Sequence, residues 1–206
     1  MLSIAARYLS FALMTVPLVL FAPPSHPAEA PAQSSLRGQF LIATPAMRDP
    51  RFDHAVILMV RHNGDGAMGI VINRPLGEKP LAEVLAALGI RDTTAAGNVR
   101  IFLGGPVQLE VGFVIHSTDY RRPETLDVDD RLAATSSRDI LRDIAVNAGP
   151  MKSLVAFGYA GWGPGQLEAE LAHNVWYTAP ADPGLVFEED RDKVWERATA
   201  RRTQDL

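Results

Sequence analysis

Residues 54–73 read HAVILMVRHNGDGAMGIVIN, and the class of fold follows from them. Two runs rich in β-branched residues, 54–61 and 67–73, flank the polar segment His62-Asn63-Gly64-Asp65-Gly66. The Asn-Gly and Asp-Gly steps supply the positive φ angles of a tight reversal, so the two runs are predicted to form a β-hairpin. Antiparallel strands of this kind favour a mixed α+β domain over a doubly wound parallel sheet.

Hydrophobic spacing predicts further elements on both sides of the hairpin. A helix opened by Pro80 buries an apolar stripe and ends at Gly89. A second helix is expected from Ser136, where Asp139 would complete a capping box, to Ala148. Further strands are predicted at 39–43, 99–103, 111–116, 153–159 and 174–178, and two more helices at 166–172 and 188–201, which makes about four helices in all.

Composition narrows the classes of partner and site. The 206 residues are 47% hydrophobic and 21% charged, as in an ordinary soluble globular protein. The net charge is −4, and the only basic pairs are Arg121–Arg122 and Arg201–Arg202. Nucleic-acid binding depends on neutralised phosphates, so no nucleic-acid partner is predicted. The chain has no cysteine, which excludes disulfides, thiolate nucleophiles and cysteine metal sites.

The first 30 residues have the layout of a secretory signal peptide. Arg7 precedes an apolar run from Tyr8 to Phe21, and Ala28-Glu29-Ala30 provides a small-x-small exit. The run is shorter than the ~20 residues of a membrane-spanning helix, so no transmembrane span is predicted. We expect export to the periplasm; the alternative is a cytoplasmic protein whose leader is non-functional or whose translation starts at Met14. The predicted division is a leader at 1–30, a linker at 31–36, a domain at 37–200 and a tail at 201–206.

Two glycine-containing segments are candidates for a binding surface. In Gly161-Trp162-Gly163-Pro164-Gly165-Gln166 a strand leads into a helix, and the free N–H groups of such a helix start can bind an anion. The spacing matches no nucleotide-binding fingerprint, and Glu168 and Glu170 would repel a phosphate. A rigid turn with Trp162 packed or presented to a partner is therefore the favoured interpretation. In Gly104-Gly105-Pro106 a plain chain reversal is favoured over close approach of a ligand.

Two histidines have a carboxylate nearby in the sequence: His62 with Asp65, and His116 with Asp119. Either pair could belong to a general acid–base or metal site assembled in three dimensions, although no close metal-ligand spacing occurs. No serine lies in a G-x-S-x-G motif. No catalytic residue, metal or cofactor is therefore assigned.

Several long motifs resemble the signatures of the AlgH/YqgE family, in the family's order. The N-terminal motifs are Gly38-Gln39-Phe-Leu-Ile-Ala-Thr-Pro45, Asp49-Pro50-x-Phe52 and, after His62, Gly66-Ala67-x-Gly69-x-Val71-x-Asn73-x-Pro75. The later motifs are Gly104-Gly105-Pro106-Val107, Gly112-Phe113-x-x-His116, Gly161-Trp162-Gly163-Pro164-Gly165-Gln166-Leu167-Glu168-x-Glu170, Asn174-x-Trp176, Phe187 and Trp195. The resemblance covers nearly the whole domain.

This resemblance implies a single α+β domain with mixed, bent and coiled β-sheets, and it brings no established reaction. Some family members are described as transcriptional regulators, but this sequence has no helix-turn-helix and no basic helix. The chain departs from the family in two places. Family members are mostly cytoplasmic and have no leader, whereas this chain has one. Its C-terminal residues Arg-Arg-Thr-Gln-Asp-Leu also lack the apolar C-terminus of the family.

The first hypothesis is a non-enzymatic regulatory or binding protein with an unidentified protein or small-molecule partner and an unassigned oligomeric state. The rivals are a small-molecule- or nucleotide-binding enzyme that uses the helix start at Gln166, and a transcriptional regulator. We expect the two glycine-containing segments to meet, with both histidines nearby. The candidate surface is His62, Gly104, Gly105, Pro106, His116, Gly161, Trp162, Gly163, Gly165 and Gln166.

Overall fold

Ten strands and five α-helices make up the part of the chain that the computed structural model describes, residues 35–90, 95–187 and 190–203. The predicted leader lies outside these residues, as do most of the predicted linker and the end of the tail. Short 3₁₀ turns lie at Pro50–Phe52 and Arg191–Lys193. The strands are β1 (Gln39–Ala43), β2 (Val56–Asn63), β3 (Gly66–Val71), β4 (Pro75–Pro80), β5 (Asn98–Leu103), β6 (Val107–Ser117), β7 (Leu126–Asp127), β8 (Leu132–Thr135), β9 (Ser153–Trp162) and β10 (Trp176–Pro180). The helices are α1 (Leu81–Ala87), α2 (Asp139–Ala145), α3 (Gln166–Ala172), α4 (Pro183–Val186) and α5 (Val194–Thr199).

The strands form one curled, mostly antiparallel sheet, which confirms the α+β class. The predicted hairpin is β2–β3, paired from Asn63–Gly66 to Ile57–Val71. Strand order along the sheet is β10-β1-β2-β3-β9-β6-β8-β7, and β4 pairs with β5 beside it. The β5–β9 pair is parallel, whereas the other strand pairs are antiparallel.

The central strands are buried on both faces, which is why their sequences are continuous apolar runs instead of alternating ones. In β1, Phe40 and Ile42 enter one core cluster while Leu41 and Ala43 enter another. Helices α4 and α5 cover the first face with Leu185, Val186, Val194 and Ala198, and α3 covers the second with Leu167. A third cluster packs α1 and α2 on β5, β6 and β9. No helix in the described ranges is long and apolar enough to span a bilayer.

The link between β5 and β6 crosses over strand β9. Both strands pair with residues 155–157 of β9, one parallel and one antiparallel, so they lie on its opposite edges. Three residues, Gly104, Gly105 and Pro106, carry the chain from one edge to the other. The expected plain reversal is therefore a crossing of two backbones.

Several local predictions were wrong. Ser136 does not cap α2: the helix starts at Asp139, whose N–H lies 3.4 Å from Ser137 Oγ, and it ends at Ala145. The glycine-rich turn expected after residue 159 is strand as far as Trp162. The long C-terminal helix is a 3₁₀ turn followed by the six residues of α5, of which Val194 and Ala198 are buried.

Candidate functional site

An open cleft of about 670 Å³ lies over the second core cluster. Its walls come from the segment after β1, the crossing between β5 and β6, the end of β9, helix α3 and the start of β10. The lining residues are Ala46, Met47, Arg48, Asp49, Arg51, Phe52, Pro106, Val107, Gly161, Trp162, Gln166, Glu170, His173, Val175 and Trp176.

Helix α3 brings Glu170 to the floor of this cleft, where two indoles hold it. Trp162 Nε1 and Trp176 Nε1 both donate to Glu170 Oε2, over 2.9 and 2.7 Å. Gln166 Nε2 donates to the other carboxylate oxygen over 3.0 Å. The indoles are almost fully buried and meet edge to face, with ring centroids 6.1 Å apart. Because three N–H groups satisfy Glu170, this carboxylate positions the aromatic floor.

The opposite wall carries an ion pair on a 3₁₀ turn. Asp49 caps the turn by accepting the Arg51 N–H over 2.9 Å, since its side chain precedes Pro50, which has no N–H of its own. The Arg51 guanidinium then binds the same carboxylate through Nε and Nη2. This hydrogen-bonded cation lowers the pKa of Asp49. Phe52 follows on the turn and meets Trp176 edge to face at 5.7 Å.

Arg48 gives the cleft an available positive charge. It is exposed, it lines the cleft, and it makes no hydrogen bond or ion pair with the other residues that the structure describes. The two acidic side chains of the cleft, Asp49 and Glu170, are already engaged by N–H donors. The cleft can therefore attract a negative group, although the whole chain has a charge of −4.

The two glycine-containing segments meet at the cleft, as expected. Pro106 and Val107 line it together with Gly161, Trp162 and Gln166. The other glycines of the predicted surface do not line it.

Gly104 and Gly105 have a structural reason to be glycine. A Cβ on Gly104 would lie 2.3 Å from the Gly158 carbonyl oxygen, and one on Gly105 would lie 2.1 Å from the Tyr159 carbonyl carbon. Gly158 has φ +75° and no room for a Cβ either. These three glycines allow two backbones to cross in contact.

His62 is a structural residue outside the cleft. Its Nδ1 accepts the Leu36 N–H over 3.0 Å, so Nε2 carries the proton and donates to Glu168 Oε1 over 2.7 Å. This hydrogen bond is the largest cause of the lowered pKa of Glu168. The ring links the start of the described chain to helix α3, and Asp65 is not its partner.

His116 lies at the other end of β9. It pairs with Ser153, whereas the cleft begins at Gly161, and eight residues of strand at ~3.3 Å each separate the two positions by roughly 25 Å. The ring is fully buried and meets Tyr120 edge to face at 5.5 Å. Nδ1 donates to the Ser117 carbonyl over 2.9 Å, while Nε2 has no partner among the described residues. The expectation that both histidines lie near the two segments was wrong for His116, because sequence does not give the order of strands. His62 does lie near the Gly161–Gln166 segment, through its hydrogen bond to Glu168, although it does not line the cleft.

The start of helix α3 does not resemble an anion cradle. The helix has seven residues, and the Gln166 side chain already accepts the Gly163 N–H over 3.1 Å. Gly163 and Gly165 are exposed beside this turn, and Gly165 has φ +73°. Among the described residues, no group of three His, Asp or Glu side chains is placed to hold a metal ion.

Sequence reasoning missed most of the cleft's polar wall. This wall is formed by residues 48–52, which supply Arg48, Asp49, Arg51 and Phe52. Within them only Asp49-Pro50-x-Phe52 was noted, as a family motif without a chemical role. The signal that points to them is the Asp-Pro pair at 49–50, which predicts a capped turn and so a fixed direction for Arg51.

Comparisons with known proteins agree with the motif resemblance. A model of the AlgH-like family matches residues 40–206. A UPF0301 protein of Rhodospirillum rubrum is 51% identical over 153 residues, which cover 74% of this chain and 80% of that protein.

Two solved structures have the same fold. The solution structure of the AlgH protein of Pseudomonas aeruginosa superposes with a TM-score of 0.71 at 44% identity, covering 84% of this chain and 92% of that one. A crystal structure of a Corynebacterium diphtheriae protein superposes with a TM-score of 0.65 at 21% identity, covering 85% of this chain and 90% of that one; at this identity the likeness shows the fold alone.

Proposed function

The chain belongs to the AlgH-like family, and on that premise we propose that it is a regulatory or binding protein that recognises its partner in the cleft between the Gly104–Val107 and Gly161–Gln166 segments. The observation that carries the proposal is the meeting of these two segments around a single open cleft. Concave sites with an aromatic floor and a few placed polar groups are the usual form of a binding site.

The hydrogen bonds already made by the two carboxylates of the cleft favour binding over catalysis. Glu170 is held by three N–H donors, and Asp49 by Arg51. A general base needs an oxygen or nitrogen directed at substrate, whereas these carboxylates are directed at protein donors. His62 and His116 lie outside the cleft, and His173, which is exposed on its wall, has its Nδ1 hydrogen-bonded to the Ala169 carbonyl over 2.6 Å.

Direct DNA binding is not part of the proposal. The described helices have four to seven residues, and none is a basic helix of the kind that enters a major groove. A regulatory role therefore acts through a bound partner or ligand.

Filling the cleft tests the proposal. Ala46 is exposed on the cleft wall, so Ala46→Trp places an indole in the cleft without removing a side-chain contact. Ala200→Trp is the matched control at an exposed position outside the cleft. We expect proteins and metabolites captured by the wild-type full chain from extracts of the native cell to be lost with Ala46→Trp and kept with Ala200→Trp. If Ala46→Trp keeps every partner, or if a compound is turned over in the cleft, the proposal is wrong.

We also propose that the protein acts in the periplasm, from the signal-peptide layout of residues 1–30. The intact mass of the native protein after cell fractionation is the test. A periplasmic species that begins near Pro31 supports export. A cytoplasmic species that keeps the leader or begins at Met14 contradicts it.

A further inference from the structure

A second hollow continues the cleft past the crossing between β5 and β6. It has a volume of about 260 Å³, and Val71, Leu103 and Leu109 form its apolar walls. Arg51 and Pro106 line both hollows, so the two lie side by side with these residues between them. Leu109 stays 54% exposed because residues 108–111 bulge out of β6 between Val107 and Gly112. Together the hollows form one elongated groove.

The groove also contains an unpaired piece of sheet edge. Strand β3 pairs with Ala160–Trp162 on one edge of β9, whereas β6 pairs with the other edge only as far as Tyr159. A Cβ on Gly66 would lie 2.3 Å from the Trp162 carbonyl oxygen, so that carbonyl points towards β3. Backbone groups of successive residues point to opposite edges, so the N–H and C=O of Gly161 face the groove. Such an edge can pair with an extended chain.

Three arginines give the groove a positive sign. Arg48 lines the larger hollow, Arg74 the smaller one and Arg51 both. Arg51 is paired with Asp49, and Arg74 donates to the Asp53 carbonyl. Asp49 compensates the charge of Arg51, whereas a carbonyl leaves the charge of Arg74 in place. Among the described residues, Arg48 is therefore the uncompensated arginine of the larger hollow and Arg74 that of the smaller one.

We propose that the groove binds an extended peptide segment of a partner protein in which an acidic residue is flanked by apolar residues two positions away on each side. Alternate side chains of an extended peptide face the same way, so the apolar ones enter the two hollows and the acidic one lies between them beside Arg51. Arg51 is already paired with Asp49, so Arg48, three residues earlier on the same wall, supplies the uncompensated positive charge for the acidic residue. The peptide backbone pairs with Gly161. This inference rests on the proposed function and names the class of its partner.

The test begins with a library of random linear peptides displayed on phage and selected on the full-length protein. Selected peptides are expected to share an acidic residue with apolar residues at two positions before and after it. A labelled synthetic peptide with that consensus is then titrated by fluorescence anisotropy. We expect Arg48→Glu to weaken its binding roughly five- to tenfold, because one attraction becomes one repulsion at a partly exposed site.

The matched control is Arg61→Glu, which makes the same charge change at an exposed arginine outside both hollows. It should alter affinity by no more than about twofold. Replacing the acidic residue of the peptide by lysine should restore binding to Arg48→Glu and weaken binding to the wild type. This exchange separates a direct contact from a loss of fold.

The indole N–H signals of an NMR spectrum locate the bound peptide. Trp162 and Trp176 report on the groove through Glu170, whereas Trp195 donates to the Ala43 carbonyl elsewhere. The peptide should shift the first two signals and leave the third in place. Selected peptides without the acidic residue, no selected peptide at all, or binding that Arg48→Glu leaves intact would overturn the inference. If the further inference is overturned but Ala46→Trp still prevents capture of a partner, the proposed function stands. If Ala46→Trp also leaves every partner bound, the proposed function is wrong as well.

Discussion

Gly105 lies against the backbone of Tyr159 so closely that a Cβ on the glycine would be 2.1 Å from the tyrosine carbonyl carbon. This contact is where the chain crosses β9, and it places Pro106 between the two hollows of the groove. The shape of the candidate site thus depends on a contact between two backbones, and side chains only line the hollows that this contact creates.

Replacing Gly105 by alanine should destabilise the protein by about 3 kcal/mol or more, because the new Cβ meets backbone that cannot yield without moving β9. Its φ of +151° adds strain for any L-residue. The matched control is Gly163→Ala, where a Cβ meets nothing within 4 Å. Urea unfolding should show a large loss for the first variant and about none for the second. If the two variants have equal urea midpoints, the backbones at the crossing are loosely packed.

Replacing Glu170 by alanine should remove about 2–5 kcal/mol of unfolding free energy, because two buried indole N–H groups lose their acceptor. Glu170→Gln keeps one carbonyl oxygen for them and should cost less. The control is Glu196→Ala, an exposed glutamate in α5, which should change stability by under about 0.5 kcal/mol. If Glu170→Ala leaves the unfolding free energy unchanged, the two indole N–H groups donate to water in the variant.

The sequence predicted those elements whose contacts are local. The β2–β3 hairpin follows from the turn residues Asn63–Gly66, and α3 follows from its apolar spacing after Gly165. Strand β4 was missed because it is exposed at all six positions, which gives no alternation, and because its identity comes from pairing with β5. The end of β9 was read as a loop because its glycines, which the crossing requires at Gly158, resemble those of a turn.

The candidate site was predictable in part. Pro106, Gly161, Trp162 and Gln166 were named from the sequence and line the cleft. Arg48 was not named, since an isolated arginine in a loop has no pattern that distinguishes it. His116 was misplaced because strand order, which separates β2 from β6, is a property of long-range pairing.

Acid should weaken the protein through Glu168. Its folded pKa is lowered from 4.5, chiefly by the hydrogen bond from His62, so its contribution is present above that value and is lost as the pH falls through the lowered folded pKa. Glu168→Gln keeps the acceptor without the titration, so its unfolding free energy should fall less below about pH 5. In a His62→Phe background the same change should have no such effect. If Glu168→Gln still reduces the loss of unfolding free energy at low pH in the His62→Phe background, a partner other than His62 lowers the pKa of Glu168.

His116 should make stability depend on pH in a higher range. Burial is the largest cause that lowers its folded pKa below 6.5, and its ring nitrogen Nε2 has no partner among the described residues. Below about pH 6.5 the unfolded chain binds a proton that the folded one does not, so the unfolding free energy falls as the pH drops towards the lowered pKa, by at most about 1.4 kcal/mol per pH unit. His116→Phe keeps a ring beside Tyr120 and removes this proton, so its urea midpoint should change less between pH 7 and pH 5. Ser153→Ala, at the residue paired with His116, perturbs the same place without a titrating group and should follow the wild type. If His116→Phe and the wild type lose stability in parallel over this range, the folded ring accepts the proton, and a water or a movement of the strand must then solvate Nε2.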